Sequence, residues 1–185
     1  MSNTGGYKNL IVYQQAVLIY DLNSEFCKKY LADYGSGTPT RRTIDQMIQA
    51  ARSGKQNIVE GSLEKSLKMN IKLTGVSRAS FGELKEDYED FLRSRKLPIW
   101  DKNDPRVLQI RALRVSANLT NESNLSNLSN WTNSPERFTN LMISLISKEN
   151  YLLDQMLRSL EQKFISEGGY SENLFKKRLE RRKAK

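Results

Sequence analysis

The stretch that decides the fold is residues 134–169, SPERFTNLMISLISKENYLLDQMLRSLEQKFISEGG. Ser134 followed by Pro135 is typical of a helix start, because a serine side chain caps free N–H groups and proline suits the first helical position. Gly168 and Gly169 predict where this helix ends. Its apolar residues recur every three or four positions, which indicates one buried face: Phe138, Leu141, Met142, Leu145, Leu152, Met156, Leu160 and Phe164.

Three earlier stretches carry the same periodicity, at residues 8–31, 40–63 and 68–95. The glycine- and proline-containing segment at 33–39 separates the first two, and Pro98 follows the third. No stretch alternates apolar and polar residues as a strand does. Four amphipathic helices of similar length predict an all-α fold, an antiparallel up-down-up-down four-helix bundle.

Two further segments lie between the third and fourth long helices. Residues 104–117 predict an extra helical segment, with Asp104 as its N-cap and Pro105 at its first position. Residues 118–133 are rich in Asn and Ser, which have low helix propensity, so we expect an irregular connection or a short helix there.

The positive charge is concentrated at the C-terminus. The chain has a formal net charge of +9, and residues 175–185 hold seven Lys or Arg against the single acid Glu180, a net of +6. We therefore predict a four-helix bundle over residues 1–166 and a basic extension over 167–185, with Ser171 capping a short helix. A dense basic tail binds phosphates, although such a tail can also be a disordered, solubilising end.

The composition excludes several kinds of chemistry. The chain has no histidine, so a Ser-His or Cys-His pair and the usual zinc sites are excluded. Cys27 is the only cysteine, lies on the apolar stripe of the first helix, and is expected to be a core residue. The absence of a long apolar run or a secretory pattern predicts a cytoplasmic protein with no membrane partner.

Two segments resemble a known family. Residues 46–61, QMIQAARSGKQNIVEG, resemble the signature of the bacterial four-helix-bundle family known from proteins encoded in intervening sequences of large-subunit ribosomal RNA genes. Residues 77–84, SRASFGEL, resemble its third helix, although Ala79 stands where the family usually has glycine. Residues 150–178 resemble the suffix extension of a subset of these proteins. The matching signature residues are Gln46, Ala50, Ser53, Asn57, Glu60 and Gly61.

The resemblance implies a four-helix bundle that assembles into a homo-oligomer, for which a ring is one possible arrangement. The family is also similar to the accessory protein of diversity-generating retroelements, a basic pentameric barrel that binds a reverse transcriptase and nucleic acid. A bundle with wide apolar stripes independently favours an oligomer, because assembly buries the excess apolar surface.

One face of the second helix carries a row of polar residues. Gln46, Ser53 and Asn57 are spaced i, i+7 and i+11, so they share this face, and Glu83 on the third helix is a candidate partner. We favour a structural polar ladder that fixes helix register, because buried polar groups need partners. The alternative is a ligand cleft.

Acidic residues suggest a metal site between the second and third helices, as in all-helical nucleotide pyrophosphatases. Those enzymes carry an acid pair spaced i, i+3 on their first helix, whereas Glu60 and Glu64 in this chain are spaced i, i+4. We favour a solvated charged face, and we predict no metal and no cofactor. The acidic residues are Glu60, Glu64, Glu83, Glu86, Asp87, Glu89 and Asp90.

The leading hypothesis is a non-enzymatic, oligomeric helical scaffold that binds nucleic acid or a nucleic-acid-processing partner through Lys and Arg contacts to phosphates. One alternative is a protein–protein adaptor whose basic tail docks an acidic partner without nucleic acid. Another is a magnesium-dependent nucleotide hydrolase. The predicted phosphate-binding residues are Arg41, Arg42, Arg52, Lys55, Lys176, Lys177, Arg178, Arg181, Arg182 and Lys183.

Overall fold

A computed structural model of the chain describes residues 6–31, 38–113 and 128–183. The described residues form helices and contain no strand, which confirms the all-α helical bundle. A 3-10 turn at Gly6–Asn9 precedes α1 (Ile11–Tyr30), α2 (Thr38–Leu63), α3 (Leu67–Ser94), α4 (Pro105–Ala112), α5 (Pro135–Glu167) and α6 (Tyr170–Lys183). None of the described helices combines the length and apolar character that a membrane span needs.

The four long helices α1, α2, α3 and α5 enclose the core. α1 packs against α2 and α5, α2 packs against α3, and α3 packs against α5, while the short α4 lies on α5. The contacts between α2 and α3 run in opposite sequence order, since Gly54 lies against Phe81 and Gly61 lies against Asn70. The complete up-down-up-down order of the bundle stays a prediction.

Two of the predicted helix starts and one predicted end are confirmed by their capping contacts. Asp104 Oδ1 accepts a hydrogen bond from the backbone N–H of Arg106 at 2.9 Å. Ser134 Oγ accepts one from the backbone N–H of Arg137 at 3.3 Å. α5 ends at Gly168, whose φ of 76° is the left-handed conformation that glycine adopts without strain.

Other predicted boundaries were wrong. The first helix begins at Ile11 rather than Lys8, because residues 6–9 form a 3-10 turn. The last helix already begins at Tyr170, so Ser171 lies within it and is not its N-cap. Glu172 takes the capping role instead, since its side chain accepts the Gly169 N–H at 3.4 Å.

The prediction for residues 104–133 is only partly covered by the described residues. α4 ends at Ala112, and residues 114–127 lie outside the part of the chain that the structure describes. Residues 128–132 form one helical turn within the segment predicted to be irregular or to contain a short helix. Leu128 is buried and Trp131 is half-buried there, so this turn packs on the core.

Aromatic rings fill the centre of the core. Phe26 of α1 makes edge contacts with Tyr88 and Phe91 of α3, each with ring centroids 4.9 Å apart, and with Phe138 of α5 at 5.3 Å. Edge-to-face contacts of this kind stabilise a core beyond the area they bury. The neighbouring Cys27 is buried as predicted, and burial raises the pKa of its thiol to about 12, so the thiol stays protonated and unreactive at neutral pH.

α2 and α3 approach most closely at Gly54. A Cβ added there would lie 2.6 Å from Cζ of Phe81, and the Gly54 carbonyl accepts a hydrogen bond from Ser77 Oγ at 2.8 Å. The missing side chain therefore lets the ring of Phe81 lie directly on the α2 backbone. Gly82 on α3 differs, because no atom lies within 4 Å of its added Cβ.

This contrast predicts opposite effects for two glycine-to-alanine substitutions. Alanine in an exposed helix interior stabilises by up to about 1 kcal/mol relative to glycine, so Gly82→Ala should raise the free energy of unfolding. Gly54→Ala should lower it by about 1–3 kcal/mol, because the new methyl group overpacks the α2–α3 contact. Urea denaturation followed by circular dichroism measures both, and a gain for Gly54→Ala would contradict the close approach.

Candidate nucleic-acid interface

The exposed helix α6 carries most of the positive charge that the sequence placed at the C-terminus. None of its residues is buried, and it makes no extended packing contact with another helix. Glu172 lies in the first turn of α6, where the positive end of the helix dipole stabilises a carboxylate. Basic residues occupy the last turn, where the negative end of the dipole stabilises cations. Hydrogen bonds from Lys176 and from the Gly169 backbone lower the pKa of Glu172.

Four cations of α6 surround one shallow cleft of about 380 Å³, namely Lys177, Arg178, Arg181 and Arg182. Their spacing places them on neighbouring turns of the same side of the helix. No ion pair involves these four in the described part of the chain, whereas Lys176 pairs with Glu172 at 2.8 Å. Lys183 is exposed at the end of the helix. Unpaired cations gathered in this way can bind phosphate groups by displacing counterions.

The predicted phosphate-binding residues of α2 form a separate surface. Arg41, Arg42 and Arg52 are exposed, but Lys55 is half-buried, with its Nζ atom 3.8 Å from the centroid of the Tyr20 ring. This cation–π contact holds the Lys55 ammonium against α1. Because α6 has no extended contact with α2, no packing interface brings these two basic groups together.

The polar ladder is shorter than predicted and has a different partner. Ser53 Oγ lies 2.9 Å from Ser80 Oγ of α3, and Asn57 Nδ2 donates to the Ser53 carbonyl at 2.8 Å. Gln46 and Glu83 were expected in the buried ladder, but both side chains are exposed. Ser80 takes the place assigned to Glu83 because it lies one turn closer to the α2–α3 contact at Gly54.

An open groove of about 430 Å³ runs beside this ladder, between α2 and α3. Burial raises the pKa of Asp87 there, and the negative charges of Asp90 and Glu83 raise it further. The carboxylates of Glu83 and Asp87, which line this groove, would repel phosphates, so the groove does not extend the basic surfaces. The residues that line it are Gln46, Gln49, Ala50, Ser53, Ser80, Glu83 and Asp87.

The carboxylates of the hydrolase hypothesis do not converge. Glu60 and Glu64 are exposed at the end of α2, where Gly61 lies against Asn70. Glu83 lies on α3, thirteen residues beyond Asn70, which at the rise of an α-helix is a distance of about 20 Å from the end of α2. Among the described residues, no group of three or more Asp, Glu or Cys side chains could hold a metal ion.

The acidic run on α3 is partly neutralised on the helix surface. Lys85 pairs with Glu89 at 2.8 Å, and Arg93 pairs with Asp90 at 2.6 Å. Pairs at these spacings are ordinary contacts between neighbouring turns of an exposed helix.

A buried carboxyl group on α5, that of Glu149, was missed by the sequence analysis. Its side chain has no exposed surface, and neither carboxyl oxygen has a hydrogen-bond partner among the described residues. Gln15 of α1 is buried nearby, where its Nε2 donates to the Leu145 carbonyl at 2.8 Å and its Oε1 has no partner. The sequence did contain a sign that Glu149 is buried, because position 149 falls on the same helix face as Leu145 and Leu152.

Burial raises the pKa of Glu149 well above its ordinary value of 4.5. The carboxyl group is therefore neutral over a pH range in which an exposed glutamate is ionised.

These observations define an all-α helical bundle that carries an exposed basic helix and a second, smaller basic surface on α2. Comparison with protein-family models, with curated proteins and with solved structures found no match.

Glu149 should make stability fall as pH rises. Between pH 4.5 and the raised folded pKa, the folded protein binds a proton that the unfolded chain has released, so the free energy of unfolding decreases by up to about 1.4 kcal/mol per pH unit. Glu149→Gln should remove this dependence and become progressively more stable than the parent protein as pH rises.

Denaturant titrations at several pH values measure this difference, with Glu161→Gln at an exposed position of the same helix as the control. Parallel pH profiles for Glu149→Gln and the parent protein would contradict a buried, proton-binding carboxyl group.

Proposed function

We propose that this chain is a non-enzymatic, oligomeric helical scaffold that binds nucleic acid, or a nucleic-acid-processing partner, through Lys and Arg contacts to phosphates. The observation that carries the proposal is α6, an exposed helix whose four clustered cations have no ion-pair partner in the described chain. Phosphate contacts from such side chains position a nucleic acid but read no sequence, so the proposed binding is not sequence-specific.

The helix is suited to a polyanion by its geometry as well as by its charge. An ordered helix presents its cations at fixed intervals, and each cation that meets a phosphate releases a bound counterion. Since α6 is free of the bundle, a long polyanion can approach it from several sides. Arg41, Arg42 and Arg52 provide a second point of contact on α2 for a ligand long enough to reach both surfaces.

Exposed apolar side chains support the oligomeric part of the proposal. Ile165 near the end of α5 is 76% exposed, and Ile11 at the start of α1 is 60% exposed. Ile165 is followed on α6 by the exposed Leu174, Phe175 and Leu179, and a group of exposed apolar side chains is commonly covered in an assembly.

A protein–protein adaptor is the second candidate, and the apolar residues of α6 favour it. Leu174, Phe175 and Leu179 are exposed beside the cations, so α6 could dock an acidic partner through charge and apolar contact together. Nuclease treatment of the purified complex separates the candidates, because an adaptor complex survives it and a nucleic-acid-dependent complex does not.

Light scattering of the purified protein should give a mass that is a whole-number multiple of 21.3 kDa and larger than that of the monomer. Ile165→Asp should lower this mass, because a carboxylate would have to be buried without a partner in an interface that includes Ile165. A monomer at every concentration tested would contradict the oligomeric scaffold.

Binding of a labelled 20-nucleotide RNA or DNA should weaken steeply as salt rises, and fluorescence anisotropy measures this. Changing Lys177, Arg181 and Lys183 to Gln should reduce the slope of log K against log[salt] by roughly two, if each side chain meets a phosphate. The matched control changes Lys28, Lys102 and Arg158, which are exposed cations on other elements, to Gln. No binding at low salt, or equal loss in both variants, would contradict the proposal.

A further inference from the structure

A groove between the end of α4 and the middle of α5 has no role in the proposal above. It has a volume of about 470 Å³, within the range of small-ligand sites. The side chains from α5 are spaced at successive turns of one face, and α4 contributes the opposite wall. The α4–α5 groove is lined, among the described residues, by Arg111, Ser147, Lys148, Tyr151 and Leu152.

Two cations lie in this groove with no acidic partner. Lys148 Nζ donates to the backbone carbonyls of Leu113 at 2.7 Å and Arg111 at 3.1 Å, so the end of α4 fixes the position of the ammonium. The Arg111 guanidinium donates to the Lys102 carbonyl at 3.2 Å. Neither side chain forms an ion pair within the described chain.

The electrostatic balance of the groove favours an anion. Burial lowers the pKa of Lys148, and no neighbouring carboxylate acts in the opposite direction. The carbonyl end of α4 contributes about half a negative charge, which two full positive charges exceed. An anion placed beside the Lys148 ammonium would therefore replace the solvation that burial removes from it.

An aromatic ring lies beside these cations. Tyr151 is 62% exposed, and it makes no hydrogen bond or ring contact with any described residue. Leu152, in the same groove, is half-buried and packs against the core. An exposed ring next to an apolar floor can take the face of a nucleobase, a contact worth about 1–3 kcal/mol per base.

We propose that the α4–α5 groove binds one nucleotide of a single-stranded nucleic acid, with its base stacked on Tyr151 and its phosphate beside Lys148, while Arg111 adds positive charge to the groove. This inference rests on the proposed function and adds the kind of strand that is bound. α6 attracts phosphates of any nucleic acid, whereas the groove requires an unpaired base that can turn toward the ring. Duplexes hold their bases in the stack, so they should bind through α6 alone.

The test uses the full-length protein, a labelled octathymidylate and an inorganic polyphosphate of similar length as a competitor. Tyr151→Leu should weaken octathymidylate binding roughly tenfold or more, as expected for the loss of one stacked base. Tyr151→Phe should bind within about twofold of the parent protein, since the ring face remains. Val76→Ala shortens an exposed apolar side chain of α3, outside both the groove and α6, and should have no effect on octathymidylate binding.

Competition by polyphosphate separates stacking from charge. Tyr151→Leu should leave polyphosphate binding unchanged, while Arg111→Gln should weaken the binding of both ligands. If Tyr151→Leu binds octathymidylate as tightly as the parent protein, the groove inference is overturned while the proposed function stands. A polyglutamate peptide that binds as tightly as octathymidylate, and that also depends on Tyr151, would assign the groove to an acidic protein partner and overturn the inference as well.

A mononucleotide test keeps the inference independent of α6. If no oligonucleotide binds the parent protein, the proposed function fails. Saturation-transfer NMR with thymidine monophosphate then tests whether the groove binds a nucleotide without any contribution from α6. Signal on the base protons that is lost in Tyr151→Leu supports the groove, and its absence from the parent protein overturns it.

Discussion

The buried carboxamide of Asn23 joins three of the four long helices, and the rest of the bundle depends on it. Its Nδ2 donates to the Met47 carbonyl of α2 at 3.2 Å, and its Oδ1 accepts from the Tyr88 hydroxyl of α3 at 2.8 Å. A buried polar group left unpaired costs about 1–3 kcal/mol, so sliding α1 along either neighbour is unfavourable. Phe26, one turn away, contacts Phe138 and thereby includes α5 in the same centre.

The buried core ends partway along α5, and the basic residues of α6 lie beyond that point in the chain. α5 is buried as far as Leu153, and beyond that residue none of its described side chains is fully buried. The helix continues to Glu167, and the left-handed Gly168 then starts α6 free of the bundle. The packed core and the concentrated positive charge thus reside in different parts of the chain. A bundle of this kind can change its surface ligands without disturbing its packing.

Neighbouring residues on α5 show how one helix serves both the core and the surface. Glu149 points into the bundle, where burial raises the pKa of its carboxyl group. Lys148 instead reaches the carbonyls at the end of α4 and keeps part of its surface in solvent. Successive residues are about 100° apart around a helix, so adjacent positions meet different environments.

The sequence by itself determined the helical class, the caps at Asp104 and Ser134, the stop at Gly168 and the basic residues 175–185, because these depend on neighbours within a few positions. Only the tertiary structure decided that Ser80 faces Ser53, that Glu149 is buried without a hydrogen-bond partner among residues 6–31, 38–113 and 128–183, and which cations have no acidic partner within those ranges. Periodicity gives the face of a helix that is buried, but contacts across helices depend on the rotation and register that packing sets.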